Sequence, residues 1–336
     1  MRKPLSIAAG AVVSLGFLYL AARNIDLGLV AGSFSRVDWR WLPVISGIYL
    51  LELFLRGVKW KLLLDPAGRP RVWDCFRIEA VGLALNNILP FRLGELARTG
   101  FAARFFSIPF LTVLSTIVVE RILDTLALIG LFMAAAALGG GTASASAYSG
   151  FFWLALGGVT AAVAALVFAE EAMENAFLKR FLRRLPLIEK LLRQAALGAR
   201  AFHKPRRAVE LLLLSVFQWS LDAFNFWLAA LAFGIGDVIG FTRAITVIFT
   251  TAAAASLPGV PGYFGNIEYA VARVASEWGL DMSTGVAYAG WMHVVGYAVV
   301  TVTGLFFLYG MGQSLGQVWR DFSGRGAAHA AGEKTK

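Results

Sequence analysis

Apolar residues run in long blocks along this chain, and polar ones gather in the gaps between them. Six blocks approach or exceed the ~20 residues that cross a bilayer core: 5–22, 42–62, 110–138, 150–169, 209–233 and 284–310. Most lack the charged stripe that a helix on a soluble protein turns to water. Two further segments, about 76–106 and 243–279, are apolar at both ends and broken in the middle. The first break reads Asn86-Asn87-Ile88-Leu89-Pro90-Phe91-Arg92-Leu93-Gly94-Glu95. The second reads Ser256-Leu257-Pro258-Gly259-Val260-Pro261-Gly262-Tyr263-Phe264-Gly265-Asn266-Ile267-Glu268. Each sets Leu-Pro and glycine into an apolar stretch and follows them with a carboxylate. Broken apolar segments at corresponding places in two halves point to the binding site of a transporter.

The pattern predicts an all-α polytopic membrane protein with six full transmembrane helices and two broken re-entrant hairpins. A single integral-membrane domain occupies 1–316, and 317–336 is a polar tail. Half one covers about 42–138 and half two about 209–310, as an inverted-topology repeat. Glu95 precedes Arg121 by 26 residues and Glu268 precedes His293 by 25, so the halves keep similar spacing. Between them, 170–207 is basic. There Phe177, Leu178, Phe181, Leu182 and Leu185 recur at helical spacing among Lys179, Arg180, Arg183 and Arg184. Such a segment lies in the headgroup plane.

Composition agrees. Of 336 residues, 58% are hydrophobic and only 15% charged, against roughly 25% in soluble domains. The net charge is +10, and its placement matters more than its size. With the N-terminus inside and both hairpins returning to their starting side, the inside regions 1–4, 59–77, 170–207 and 320–336 hold 21 Lys/Arg. The outside loops hold four. That asymmetry sets the orientation, with both termini cytoplasmic. The basic residues meet anionic lipid, and no nucleic-acid motif is present. The start, Met1-Arg2-Lys3 and then an apolar run, resembles a signal peptide, but the run is long and reads as a retained first span. Cys75 is the only cysteine, so an intrachain disulfide is excluded. It falls in what reads as a short basic loop.

Polar groups inside the membrane carry the chemistry. A proline break frees backbone carbonyls that lipid cannot satisfy, so Pro90, Pro258 and Pro261, with Gly94, Gly262 and Gly265, belong against protein or a cavity. The half-helices after Pro90 and from Asn266 aim N–H groups at the breaks, where phosphate or carboxylate oxygens bind. Asn86 and Asn87 add neutral hydrogen-bonding groups. Arg92 and Arg98 leave the first break with Glu95 between them, able to pair with either. Glu120, Arg121 and Asp124 sit mid-span, where insertion costs about 2.5–3.5 kcal/mol per charge. They must therefore pair inside the bundle. Arg121 can bridge Asp124, and Glu120 and Asp124 need a further cation, with Arg92 or Arg98 the candidates. His293 is mid-span and, opposite Glu268, suits a proton relay. Arg56 pairs with Glu52 at i,i+4, and Lys59 and Lys61 snorkel. Asp222 and Asn225 hold the roughly corresponding place in half two. The three histidines are too scattered for a metal site, and neither a metal nor another cofactor is expected. Asp26 and Asp38, in the first outside loop, are a weak echo of the acidic loop residue of membrane glycosyltransferases.

Taken together, several motifs resemble the membrane region of the lysylphosphatidylglycerol synthase, or multiple peptide resistance factor, family. They are Arg56-x-x-x-Trp60-x-x-Leu63-Leu64, Asn87-x-x-Pro90-x-Arg92-x-Gly94-Glu95-x-x-Arg98, Glu120-Arg121-x-x-Asp124, Leu257-Pro258-x-x-Pro261-Gly262-x-x-Gly265-x-x-Glu268 and the His293 span. The resemblance implies a flippase for aminoacylated phosphatidylglycerol. The aminoacyl-transferase domain of full-length members is not in this sequence, which implies a stand-alone member and leaves the lipid open. On this basis Arg92, Arg98 and Arg121 neutralise a headgroup phosphate. Glu95, Glu120, Asp124 and Glu268 hold those arginines or a cationic headgroup, beside Asn86, Asn87, Asn266 and His293. The expected partners are membrane lipids, an anionic phospholipid or an isoprenoid-linked lipid, in a bacterial or archaeal plasma membrane. A homodimer or a membrane-enzyme partner also fits. Two other functions fit the residues: a non-transporting partner of a glycosyltransferase or lipid-modifying enzyme, and a transferase using a polyprenyl-linked donor.

Overall fold

The computed structural model describes residues 26–89, 93–140, 205–257 and 261–318, with isolated positions between 150 and 194. The expected first span, nearly all of the span 150–169 and of the basic segment 170–207, the tail from 319 on, and Pro90, Arg92 and Pro258 lie outside the described residues. Among the described residues the protein is all-helical, without strands. Four of the described helices are long and apolar enough to cross a membrane. They are α2 (Trp41–Gly68), α5 (Phe110–Ala135), α6 (Pro205–Ala232) and α9 (Met282–Gly310). Each covers a span expected from hydropathy.

Both broken segments form helix pairs. The first is α3 (Val72–Ile88) and α4 (Leu93–Phe105). The second is α7 (Phe241–Ser256) and α8 (Asn266–Ser276), with a short 3₁₀ turn, Pro261–Tyr263, between them. A helix α1 (Leu27–Ser35) occupies the stretch expected to be only a loop. Asp26 caps it, accepting from Gly28 N at 2.7 Å and Leu29 N at 3.2 Å. Asp38 accepts from Arg40 N at 3.1 Å. Cys75, expected in a loop, lies in the first turn of α3 and is fully buried. The loop is shorter than hydropathy suggested because α2 runs on through Pro66 to Gly68.

The arms of the first pair run antiparallel and very close. A side chain at Gly94 would strike Gly82 O and Asn86 N of the opposite arm. A side chain at Gly82 would come within 2.8 Å of Arg98 Cβ. Small residues are what let helix backbones approach within a membrane. Gly94→Ala is expected to cost about 1–3 kcal/mol through overpacking. A lowered unfolding midpoint in detergent is the readout; an unchanged midpoint contradicts the close approach.

The packing repeats between halves. α3 lies on α2 and α9, while α7 lies on α6 and α5. α4 lies on α5, and α8 lies on α9. Exchanging α2 with α6, α3 with α7, α4 with α8 and α5 with α9 reproduces the set of neighbours. α2 and α6 meet antiparallel at the centre, where Asn225 donates to Ile45 O at 3.2 Å and Gln218 faces Glu52 O at 3.5 Å. The largest apolar core joins α5 to α9. A second, around Trp60, Leu63, Leu64 and Ile78, joins α2, α3 and α5. The charged residues lie between these cores.

Candidate functional site

Five helices send polar groups into one buried cluster. Lys59 from α2, Glu79 from α3, Arg98 from α4 and Glu120 and Asp124 from α5 meet there, with Ser215 of α6 beside Lys59 Nζ at 3.2 Å. Lys59, Glu79 and Glu120 have no exposed surface, and Arg98 has 2%. Arg98 Nη2 joins Glu79 to Glu120, the latter at 2.9 Å. Its guanidinium carbon lies 3.8 Å from the Trp60 ring centroid, a cation–π contact. Trp60 is itself held by Thr116, whose hydroxyl accepts from Nε1 at 3.0 Å. Lys59 pairs with Asp124 and comes within 4.0 Å of Glu120. A cation between two carboxylates and an aromatic face suits burial, because each charge has a partner in low dielectric.

Arg98 thus takes Glu120, as spacing allowed, whereas Asp124 takes Lys59. The expectation that Lys59 snorkels is corrected. Its side chain has no exposed surface, and its ammonium is held by Asp124 and Ser215 inside the bundle. Lys61 pairs with Asp65 at 2.8 Å. Glu79 was missed, although it is the only acid in the apolar run between Arg77 and Asn86. That isolation was its signal.

Beside the cluster opens a cavity of about 340 Å³. Asn86, Asn87 and Glu95 line it from the first break, and Gly262, Tyr263 and Ile267 from the second. Arg121 of α5, Tyr49, Glu52 and Arg56 of α2, Asp222 of α6, and His293 and Tyr297 of α9 complete much of the wall. The two breaks, 170 residues apart, therefore face one space.

Among the described residues, Arg121 is the more exposed of the two arginines in the cavity wall. It is 36% exposed by side chain and lies 3.8 Å from Glu120, 3.9 Å from Asp124 and 3.9 Å from Glu95. All three distances exceed hydrogen-bond range. The carboxylates hold the guanidinium in place electrostatically and make no hydrogen bond to it among the described residues, while its Nε is buried. Glu95 turns to Arg121 rather than to Arg98, which points inward. Arg56 donates to Glu52 at 3.0 Å, as expected, and lies 3.8 Å from Asp124. Asp222 has no ion pair or hydrogen bond among the described residues.

The first break is stitched across the hairpin and to α9. Asn86 Oδ1 accepts from Glu95 N at 3.2 Å, capping the start of α4. Asn87 donates to Thr301 at 2.9 Å, and Tyr297 donates to Asn87 O at 3.3 Å. At the second break, His293 Nδ1 and Glu268 Oε1 are 2.6 Å apart, and the other Glu268 oxygen accepts from Gly265 N at 2.7 Å. Gly265 and Gly262 have φ of +88° and +80°, so glycine is required at both. Phe264 stacks on His293 with centroids 4.4 Å apart. Glu268 is therefore a clasp between the break and α9. Glu268→Ala is expected to speed amide exchange at Gly265 about tenfold or more, through loss of a charged hydrogen bond. Unchanged exchange contradicts the clasp.

Of the residues expected at the site, Asn86, Asn87, Glu95, Arg121, Gly262 and His293 line the cavity. Arg98, Glu120 and Asp124 belong to the buried cluster behind it. Glu268 reaches the wall through His293. Asn266 is fully buried, its amide atoms lacking partners among the described residues. Asp281, outside the spans, caps α9 by accepting from Thr284 N at 2.9 Å. Burial would raise its carboxyl, but hydrogen bonds from Thr284 outweigh that and hold it below its usual range.

Spanning helices, two broken helix pairs and a charged cavity between them define a multi-pass α-helical membrane protein with a polar site inside the bundle. The chain belongs to the lysylphosphatidylglycerol synthase TM region family, whose model matches residues 7–304. It is thereby a lipid-related membrane protein. No curated protein and no solved structure matches it.

Proposed function

We propose that this protein moves a lipid headgroup between the leaflets of a bacterial or archaeal plasma membrane. The observation that carries the reading is the cavity shared by both breaks, with the partly exposed side chain of Arg121 in its wall. A headgroup phosphate, on an anionic phospholipid or an isoprenoid-linked lipid, docks at Arg121 with Arg56 beside it. The acyl chains stay in lipid while the head crosses. Glu120 and Asp124 hold Arg121 in position and Arg98 holds Glu120; none of the three touches the lipid. The exchangeable packing of the halves supports an inverted repeat of re-entrant hairpins, the first entering from the cytoplasm and the second from outside, among six spans. The excess of Lys/Arg on one side supports cytoplasmic termini. The test is reconstitution into vesicles carrying fluorescent phospholipid in both leaflets, with dithionite quenching of the outer one. The protein should expose inner-leaflet lipid that empty vesicles protect; equal protection overturns the reading.

A second reading is a non-transporting partner of a glycosyltransferase or lipid-modifying enzyme. The extent of the buried charge cluster favours it, since such a cluster also serves a rigid scaffold. Substitutions at Arg121 would then impair assembly and leave lipid distribution unchanged. A transferase centred on Asp26 or Asp38 draws less support, because Asp26 caps α1 and Asp38 a turn.

A further inference from the structure

A second cavity, of about 500 Å³, opens where the first turns of α3, the last turns of α4 and the end of α9 converge. It shares no lining residue with the central one. Arg77 and Arg104 stand in its wall over an apolar floor that includes Ile78, Phe101 and Met311. Arg77 gives Nη2 to Asp74 at 2.9 Å, but its buried Nε has no hydrogen-bond partner among the described residues. Arg104 rests its Nε on Gly100 O at 3.3 Å and pairs with no carboxylate among the described residues. Two guanidiniums thus face one carboxylate, leaving an excess of positive charge.

The height of the pocket in the bundle narrows its ligand. It lies at the Lys/Arg-rich end, where α2 stops, α3 begins and α9 stops. Trp73, Phe105 and Tyr309 are more than half exposed there, as aromatic residues are at a membrane interface. Basic pockets between helices at this level suit anionic headgroups. A free phosphate would make no use of the apolar floor, whereas the glycerol and first methylenes of a lipid would cover it. We propose that this pocket holds the headgroup of an anionic phospholipid from the adjacent leaflet, its phosphate bridged by Arg77 and Arg104 and its chains leaving over Phe101 and Phe105. The lipid would tie both outer ends of the first hairpin to α9. The inference rests on the membrane reading and is independent of transport.

The test uses the full chain in phosphatidylcholine vesicles doped with phosphatidylglycerol bearing a photo-crosslinker beside the headgroup. Label is mapped to residues 101–105 and 310–313 by mass spectrometry. Unlabelled phosphatidylglycerol should compete; added phosphatidylcholine and inorganic phosphate should not. Arg104→Gln and Arg77→Gln should each reduce labelling about tenfold. Arg104 is exposed, so its variant folds even if the Arg77 variant does not. Arg121→Gln, in the central cavity, should leave this labelling intact, which separates failure here from failure of the transport reading. Labelling unaffected by Arg104→Gln, or displaced by phosphatidylcholine, overturns the proposal. Displacement by inorganic phosphate overturns it in favour of a free-anion site.

Discussion

Replacing Arg98 by methionine is expected to destabilise the protein by about 3–5 kcal/mol. The residue is 2% exposed and is the shared partner of Glu79 and Glu120, which have no exposed surface. Methionine fills much of the same volume, so the cost comes from two carboxylates stranded in low dielectric rather than from a void. Thermal unfolding in detergent measures it. Adding Glu79→Gln and Glu120→Gln to the variant should recover part of the loss, because neutral amides cost less to bury unpaired. Arg98→Lys should fall between, keeping the charge but losing the forked contact and the face of Trp60. A variant as stable as the parent that lost only lipid binding would return Arg98 to the headgroup, where its spacing first placed it.

Replacing Arg121 by glutamine is expected to do the opposite. Its side chain is partly exposed, and none of its three carboxylate contacts is within hydrogen-bond range. The fold should therefore change by no more than about 1 kcal/mol. Glu120 and Asp124 keep Arg98 and Lys59, and Glu95 keeps its access to the cavity. Losing a charge-assisted contact to phosphate removes about 1.5–3 kcal/mol of binding, which is about ten- to hundred-fold in lipid movement at limiting lipid. The vesicle assay reads this directly. Normal movement by a folded Arg121→Gln protein would remove the guanidinium from the mechanism. Together the two substitutions separate the buried cluster from the cavity, though both residues began as candidates for one role.

Much of the architecture was legible along the chain. Hydropathy located the four described spans, because desolvation cost accumulates residue by residue and needs no knowledge of neighbours. The Leu-Pro and glycine breaks located both helix pairs, because proline and glycine act on the backbone within a few residues. Spacing alone also paired Glu52 with Arg56. The α1 helix was not legible: nine residues with glycine and serine carry a cap but little periodicity, and α1 is held from outside, by Ser283 on Asp26 N and Thr284 beside Ser33. Nor was the fate of Lys59 legible, since a lysine near a span end looks the same whether the helix stops at 62 or at Gly68.

Membrane residence, the helix breaks and the demand that the intramembrane charges pair all follow from local energetics, and so they were present in the order of residues. Which charge faces which was decided only in the folded bundle. Arg98 and Arg121 are both arginines in apolar helices, beside acids at helical spacing. They differ in the rotation of α4 and α5 about their own axes, which is set by contacts such as Gly94 on Gly82 and Trp60 on Thr116. The first contact closes across the turn between α3 and α4, and the second joins positions 56 residues apart in the chain. They turn Arg98 inward to close the cluster and leave Arg121 facing the cavity.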